Sequence, residues 1–174
     1  MIRAVTAVLL AVALLAAVQP AVDAARARRT ASALRTETTR LERAARALVD
    51  REDPTPAGVV GARRTVSIRV PRRGLAAAGV SSVRIGAPPN ATSRGPAASV
   101  ARTNDAVTYE LSGGSSATIW VEGVDLRTPD GPVTFEAPGR HRVSLTLVGD
   151  PAGGHEAVAV RRFDPGRARG NATP

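Results

Sequence analysis

The sequence predicts an α+β protein in which one N-terminal helix, apolar and then amphipathic, precedes a small antiparallel β domain. Residues 4–22 carry no charge, and residues 24–51 lack Gly and Pro while being rich in Ala, Arg and Leu. From residue 63 onward, polar and apolar side chains alternate with the period of a β-strand that has one wet face. This alternation leaves two architectures open: a β-sandwich, or a single sheet packed on the helix.

Residues 1–23 are expected to form a membrane anchor or a signal segment. As a helix, the stretch from Ala4 to Val22 reaches about 28 Å, close to the roughly 30 Å of a bilayer's hydrocarbon core. We therefore expect a single-pass membrane protein with an extracytoplasmic β domain. The alternative is secretion after cleavage, because Val22-Asp23-Ala24 resembles a signal-peptidase site. Arginines on both sides of the stretch leave its orientation open.

Residues 24–53 are expected to continue as an Arg-rich amphipathic helix that stops at Pro54. Leu34, Leu41 and Leu48 recur every seven residues and form a thin apolar stripe. Three roles for this stripe remain open. It can dock on the β domain of the same chain, form an oligomerisation seam with partner helices, or lie on a free-standing stalk.

A Pro- and Gly-containing linker is expected at residues 54–62, an antiparallel β domain at 63–163 and a disordered tail at 164–174. Period-two alternation and turn signals predict about seven short strands in this domain. They are expected at 65–70, 80–85, 106–111, around 119–121, around 133–135, at 142–148 and at 157–163.

Positive charge is concentrated in one part of the chain. The net charge is +9, all 24 basic residues are Arg, and residues 54–104 contain eight of them without one Asp or Glu. Such a stretch attracts acidic ligands. One functional hypothesis is therefore a membrane-tethered or secreted binding module that recognises an acidic ligand through residues 63–102. The candidate ligand-binding residues are Arg63, Arg64, Arg69, Arg72 and Arg73. Nucleic acid is not expected as a partner, because aromatic residues for base stacking are not interleaved with these arginines.

No catalytic constellation is apparent, so we expect a non-enzymatic protein without a cofactor or a metal. The chain has no cysteine, which excludes thiolate metal sites and disulfides. His141 and His155 each stand alone in the sequence, and two distant histidines make a weak metal site. Asn90 and Asn171 both fit the N-glycosylation pattern, which suits an exported chain.

The order of elements is similar to that of type IV pilins, in which an apolar helix continues into an amphipathic helix followed by an antiparallel β domain. One departure is that the stretch from Ala4 to Val22 lacks the acidic residue that pilins carry early in this helix. The chain also resembles a family of short, uncharacterised haloarchaeal membrane-anchored proteins. This resemblance rests on Met1-Ile2-Arg3, Glu52-Asp53-Pro54, Gly61-Ala62-Arg63-Arg64-Thr65-Val66, Gly123-Val124-Asp125-Leu126 and Gly139-Arg140-His141-Arg142-Val143. It implies a pilin-like or accessory component of an archaeal surface filament or secretion apparatus, with protein partners in that assembly.

Overall fold

The computed structural model describes residues 2–53, 61–86, 105–149 and 156–163. Most of the predicted linker, the predicted tail at 164–174, Asn90, Asn171 and His155 lie outside these residues. The described part contains one helix and eight strands. They are α1 (Ile2–Val49), β1 (Arg63–Val70), β2 (Val80–Ile85), β3 (Ala106–Leu111), β4 (Ser116–Trp120), β5 (Asp125–Arg127), β6 (Val133–Phe135), β7 (Gly139–Val148) and β8 (Ala157–Arg162). This confirms the predicted α+β fold.

Helix α1 is one unbroken helix of 48 residues that runs through Pro20. Proline inside a helix often breaks or kinks it, but α1 is not interrupted at Pro20. Proline removes one backbone hydrogen bond, but the Leu- and Ala-rich turns before it and the Ala- and Arg-rich turns after it favour the helix strongly enough to continue it. The helix ends at Val49, before the predicted stop at Pro54. Asp50, Glu52 and Asp53 explain the earlier end, because carboxylates oppose the helix dipole at a C-terminus.

The strands form two four-stranded sheets, so the β-sandwich is the observed alternative. The strand order is β1-β7-β8-β5 in the first sheet and β4-β3-β2-β6 in the second. Five of the six strand pairs are antiparallel, but β5 pairs with β8 in parallel, with Leu126 opposite Val158. The β domain is therefore antiparallel as predicted, except for one parallel pair at this edge of the first sheet. The inner faces of both sheets contribute to one continuous apolar core.

The stripe on the second half of α1 docks on the sandwich of the same chain. Leu34, Leu41 and Leu48 are each at most 2% exposed, and Ala45 is fully buried between them. Leu34 and Leu41 lie beside Ile68 of the first sheet and beside the second sheet's residues Val83, Ile85 and Val107. The helix therefore lies along β1 and covers the apolar space between the two sheets. Docking is thus the observed role of this half of the helix, and the alternative of a free-standing stalk does not apply to it.

The two ends of the sandwich lie at different heights along α1. At the near end, the Thr30 hydroxyl donates to the Ala78 carbonyl at 3.1 Å. At the far end, the Arg46 guanidinium donates to the Glu122 carbonyl at 2.8 Å. Thr30 and Arg46 are sixteen positions apart, which corresponds to about 24 Å of helix.

Candidate functional site

The first half of α1 projects from the sandwich as a bare apolar helix. Every residue from 2 to 21 is exposed, and large side chains such as Leu9 and Leu15 have 64% and 67% of their surface in contact with solvent. Its most apolar window has a mean hydropathy of 2.3 and buries none of its residues inside the protein. Such a helix fits a single membrane span or a signal sequence.

A loop of the sandwich is fastened to α1 directly after this apolar half. The loop joins β1 to β2 and comprises residues 71–79, which we call the near-end loop. The Arg26 guanidinium donates to the Leu75 carbonyl at 2.9 Å and to the Asp23 carboxylate at 3.1 Å. The backbone N–H of Ala78 in turn donates to the Arg26 carbonyl. Together with the bond from Thr30, these contacts fix the loop beside the first helical turns after Val22.

The five arginines predicted to bind one acidic ligand do not form one site. Arg63 and Arg64 begin β1 at the far end, whereas Arg72 and Arg73 belong to the near-end loop. Strand β1 has eight residues, so its two ends are about 23 Å apart. Consecutive arginines on an extended strand separate along its length and between its two faces, so these five are spread over β1 and the near-end loop. Their binding of an acidic ligand stays a prediction.

Strand pairing instead assembles arginines from three strands on the outer face of the first sheet. In the register, Arg69 lies directly opposite Arg140, Ser67 opposite Arg142, and Ser144 opposite Arg161. Directly opposite residues share a face of the sheet. We call this surface the basic face; its arginines are Arg63, Arg69, Arg140, Arg142 and Arg161. Sequence reasoning found only Arg63 and Arg69, because the register that adds the others joins segments far apart in the chain.

Only part of the charge on the basic face is neutralised within the described residues. Arg161 forms an ion pair with Asp130 at 3.0 Å, and Arg63 donates to the Ser144 hydroxyl at 2.6 Å. No ion pair with a carboxylate joins Arg69 or Arg140 in the part of the chain that the structure describes. Like charges directly opposite each other in a sheet destabilise it. The basic face therefore presents a pair of repelling cations to solvent, as an anion-binding surface does.

A groove of about 840 Å³ adjoins this face, and Arg63, Arg161 and Arg162 line it together with Asp130 and Phe163. The Arg162 guanidinium lies 5.4 Å from the centre of the Phe135 ring, within cation–π distance. His141 stacks on the same ring at 4.5 Å between ring centres. The first of these contacts holds Arg162 of the groove against an aromatic side chain.

Two carboxylates meet near β5. Burial raises the pKa of Asp105 above its usual 3.8; a hydrogen bond from the Leu126 N–H opposes this shift, and the nearby charge of Asp125 adds to it. Asp125 is partly satisfied by Arg127 at 3.1 Å, while its other oxygen is buried without a hydrogen bond. Among the described residues, no group of three or more His, Asp or Glu side chains could hold a metal ion. The raised pKa of Asp105 therefore matters for the pH dependence of stability.

Comparison with known proteins gives one match. Residues 1–163 match the family described as Domain of unknown function (DUF7311). No curated protein and no solved structure matches the chain. The match agrees with the expected membership in an uncharacterised family, but it supports neither a haloarchaeal origin nor an association with pilus-like machinery. Since it covers the apolar half of α1, the docked half and the sandwich, the chain belongs to the DUF7311 family, whose function is unknown.

Proposed function

We propose that this protein is a non-enzymatic, membrane-anchored subunit with a pilin-like layout, a component of an archaeal surface filament or secretion apparatus. The observation that carries this proposal is the unbroken helix α1. Its first half is apolar and exposed, and its second half is docked on the sandwich. A continuous helix transmits the position of the anchor to the sandwich without a hinge. The resemblance of the layout to pilins and of several motifs to haloarchaeal membrane proteins supplies the biological setting.

The first half of α1 is the part left exposed for partner helices, because the stripe of Leu34, Leu41 and Leu48 on the second half is buried. Because the sandwich of the same chain covers this stripe, a seam through these leucines would require undocking. The projecting half has large side chains, such as Val8, Leu10 and Leu15, exposed along its length. Partner helices are therefore proposed to pack on residues 4–22, inside the membrane before assembly and along a filament core after it.

Cysteine crosslinking in the native host tests this proposal well, because the chain has no cysteine of its own. A Leu10→Cys or Leu15→Cys variant carries a single thiol on the projecting half. Mild oxidation of intact membranes or sheared filaments should produce disulfide-linked dimers of the full chain. An Arg43→Cys variant is the matched control, because Arg43 lies exposed on the docked half of the same helix. Monomers at every tested position of residues 4–22 would contradict assembly through this helix.

A second candidate function is recognition of an acidic ligand by the membrane-tethered sandwich. The cross-strand pair of Arg69 and Arg140 favours it, since both cations lack an acidic partner in the described residues. A bound polyanion would relieve their repulsion. Binding of the full chain to heparin, used as a probe polyanion, should weaken steeply with salt and weaken further in an Arg69→Ser, Arg140→Ser variant. If neither added salt nor the double substitution weakened heparin binding, the basic face would be excluded as the ligand site.

A further inference from the structure

The near-end loop combines two features that are unusual together at an exposed position. Leu75 has 93% of its surface exposed, the most of any large apolar side chain in the described residues. Arg72 and Arg73, which precede it, are also exposed. A protruding leucine beside two cations is the composition of a segment that inserts into the headgroup region of an anionic bilayer.

The attachment of this loop to α1 sets its depth. Leu75 is hydrogen-bonded to Arg26, which lies four residues after Val22, the last residue of the uncharged stretch. Four residues correspond to about 6 Å of helix. The polar region of a bilayer extends about 5–7 Å beyond each side of the hydrocarbon core. If residues 4–22 span the core, the fixed loop therefore lies at the level of the phosphate groups.

Charge and shape at the near end agree with this position. Arg28 and Arg29 of α1 are exposed on the helix surface at the same height. An open cleft of about 450 Å³, lined in part by Asp23, Arg26 and Arg73, lies between the helix and the loop. Of these charged groups, only the Asp23 carboxylate opposes binding of a phosphate, and it is paired with Arg26. The near end thus offers several cations at headgroup height around one exposed leucine.

The geometry points to the near-end loop as a second membrane contact, in which Arg72 and Arg73 bind anionic phospholipid headgroups and Leu75 inserts between them. This inference rests on the proposed membrane anchor and deepens it. One spanning helix alone leaves the helix and the sandwich, as one rigid unit, free to tilt in the bilayer. A second contact orients the sandwich, so that the basic face stands along the membrane normal and the far end points away from the bilayer.

Full-length protein with a single cysteine at Ala76 tests the inference, because Ala76 is exposed in the loop and its substitution leaves Leu75 intact. The thiol carries an environment-sensitive fluorophore, and the protein is reconstituted in phosphatidylcholine or in an equal mixture of phosphatidylcholine and phosphatidylglycerol. We expect a blue-shifted emission, quenched by nitroxide lipids, in the anionic vesicles only. A Glu122→Cys reporter at the far end is the matched control and should stay water-exposed in both.

Loop variants in the Ala76→Cys background separate charge from insertion. Arg72→Gln and Arg73→Gln should each lower the equilibrium constant for the bilayer-bound loop about fivefold. Leu75→Ser should reduce quenching by nitroxide lipids.

Flotation of the unlabelled chain with both kinds of vesicle measures the anchor independently. Failure to float would overturn the membrane anchor itself. If the chain floats but the fluorophore at position 76 stays in water, or responds equally to both kinds of vesicle, the loop contact alone would be overturned.

Discussion

Truncating Leu41 to alanine should destabilise the sandwich, although the residue belongs to the helix. Leu41 is 1% exposed and borders a void of about 10 Å³ together with side chains of both sheets. The change removes three carbon groups, worth about 2.4 kcal/mol of transfer free energy. The two sheets that border the site limit its collapse, so a residual cavity raises the cost to about 3–4 kcal/mol. For a domain of this size, that corresponds to a fall in Tm of roughly 10 °C.

Thermal unfolding of the full chain in a mild detergent, followed by circular dichroism of the strands, measures this change. Leu15→Ala is the matched control, because it makes the same substitution on the same helix at a side chain that is 67% exposed. The control should stay within about 0.5 kcal/mol of the original protein. If Leu41→Ala and Leu15→Ala melted at the same temperature, the helix would not be part of the folded unit, and the docked-helix account would be refuted.

Three further predictions concern single positions. Because Asp105 has a raised pKa in the folded protein, the free energy of unfolding should fall as pH rises from 3.8 to that pKa and remain lowered above it. In denaturant titrations, Asp105→Asn should remove this pH dependence and raise stability at neutral pH. An unchanged pH dependence in the variant would contradict the assignment to Asp105. Gly123→Ala should lower the free energy of unfolding by about 1–2 kcal/mol, because Gly123 has φ +72° and a Cβ there would lie 3.3 Å from the Arg46 guanidinium. Gly113→Ala is the control, since a Cβ there meets open space, and this variant should melt at an unchanged temperature. Arg26→Gln should speed amide hydrogen exchange in residues 74–79, because it removes the hydrogen bond to the Leu75 carbonyl. Arg28→Gln, at an exposed position of the same helix, should leave that exchange unchanged. Equal exchange rates in the two variants would show that Arg26 does not hold the loop.

Much of the fold was predictable because its signals are local. The seven-residue spacing of Leu34, Leu41 and Leu48 is a property of one helix, and the docked face follows from it. Strands β2 and β3 appear at their predicted residues, since alternation over six residues identifies one wet face. Strand β5 was not predicted, because three residues are too few to show the two-residue alternation of polar and apolar side chains. Its parallel partner β8 also lies about thirty residues away in the chain.

The candidate site was less predictable because it depends on register and on distance in space. The sequence clusters Arg63, Arg64, Arg72 and Arg73, but the extended strand between them separates the two pairs. Arg140 joins Arg69 only through the pairing of β1 with β7, a contact between distant segments. Likewise, Leu75 is one ordinary leucine in the sequence, and only the folded loop shows that it protrudes beside the end of the apolar helix.

Helix α1 is proposed to cross the membrane and to hold the sandwich outside the cell. Labelling of single cysteines in intact host cells with a membrane-impermeant maleimide tests it most directly, since the chain has no other thiol. Glu122→Cys at the far end should be labelled in intact cells, whereas Ile2→Cys at the start of α1 should be labelled only after lysis. Labelling of Glu122→Cys only after lysis, or recovery of the protein in the soluble cytoplasmic fraction, would contradict the account.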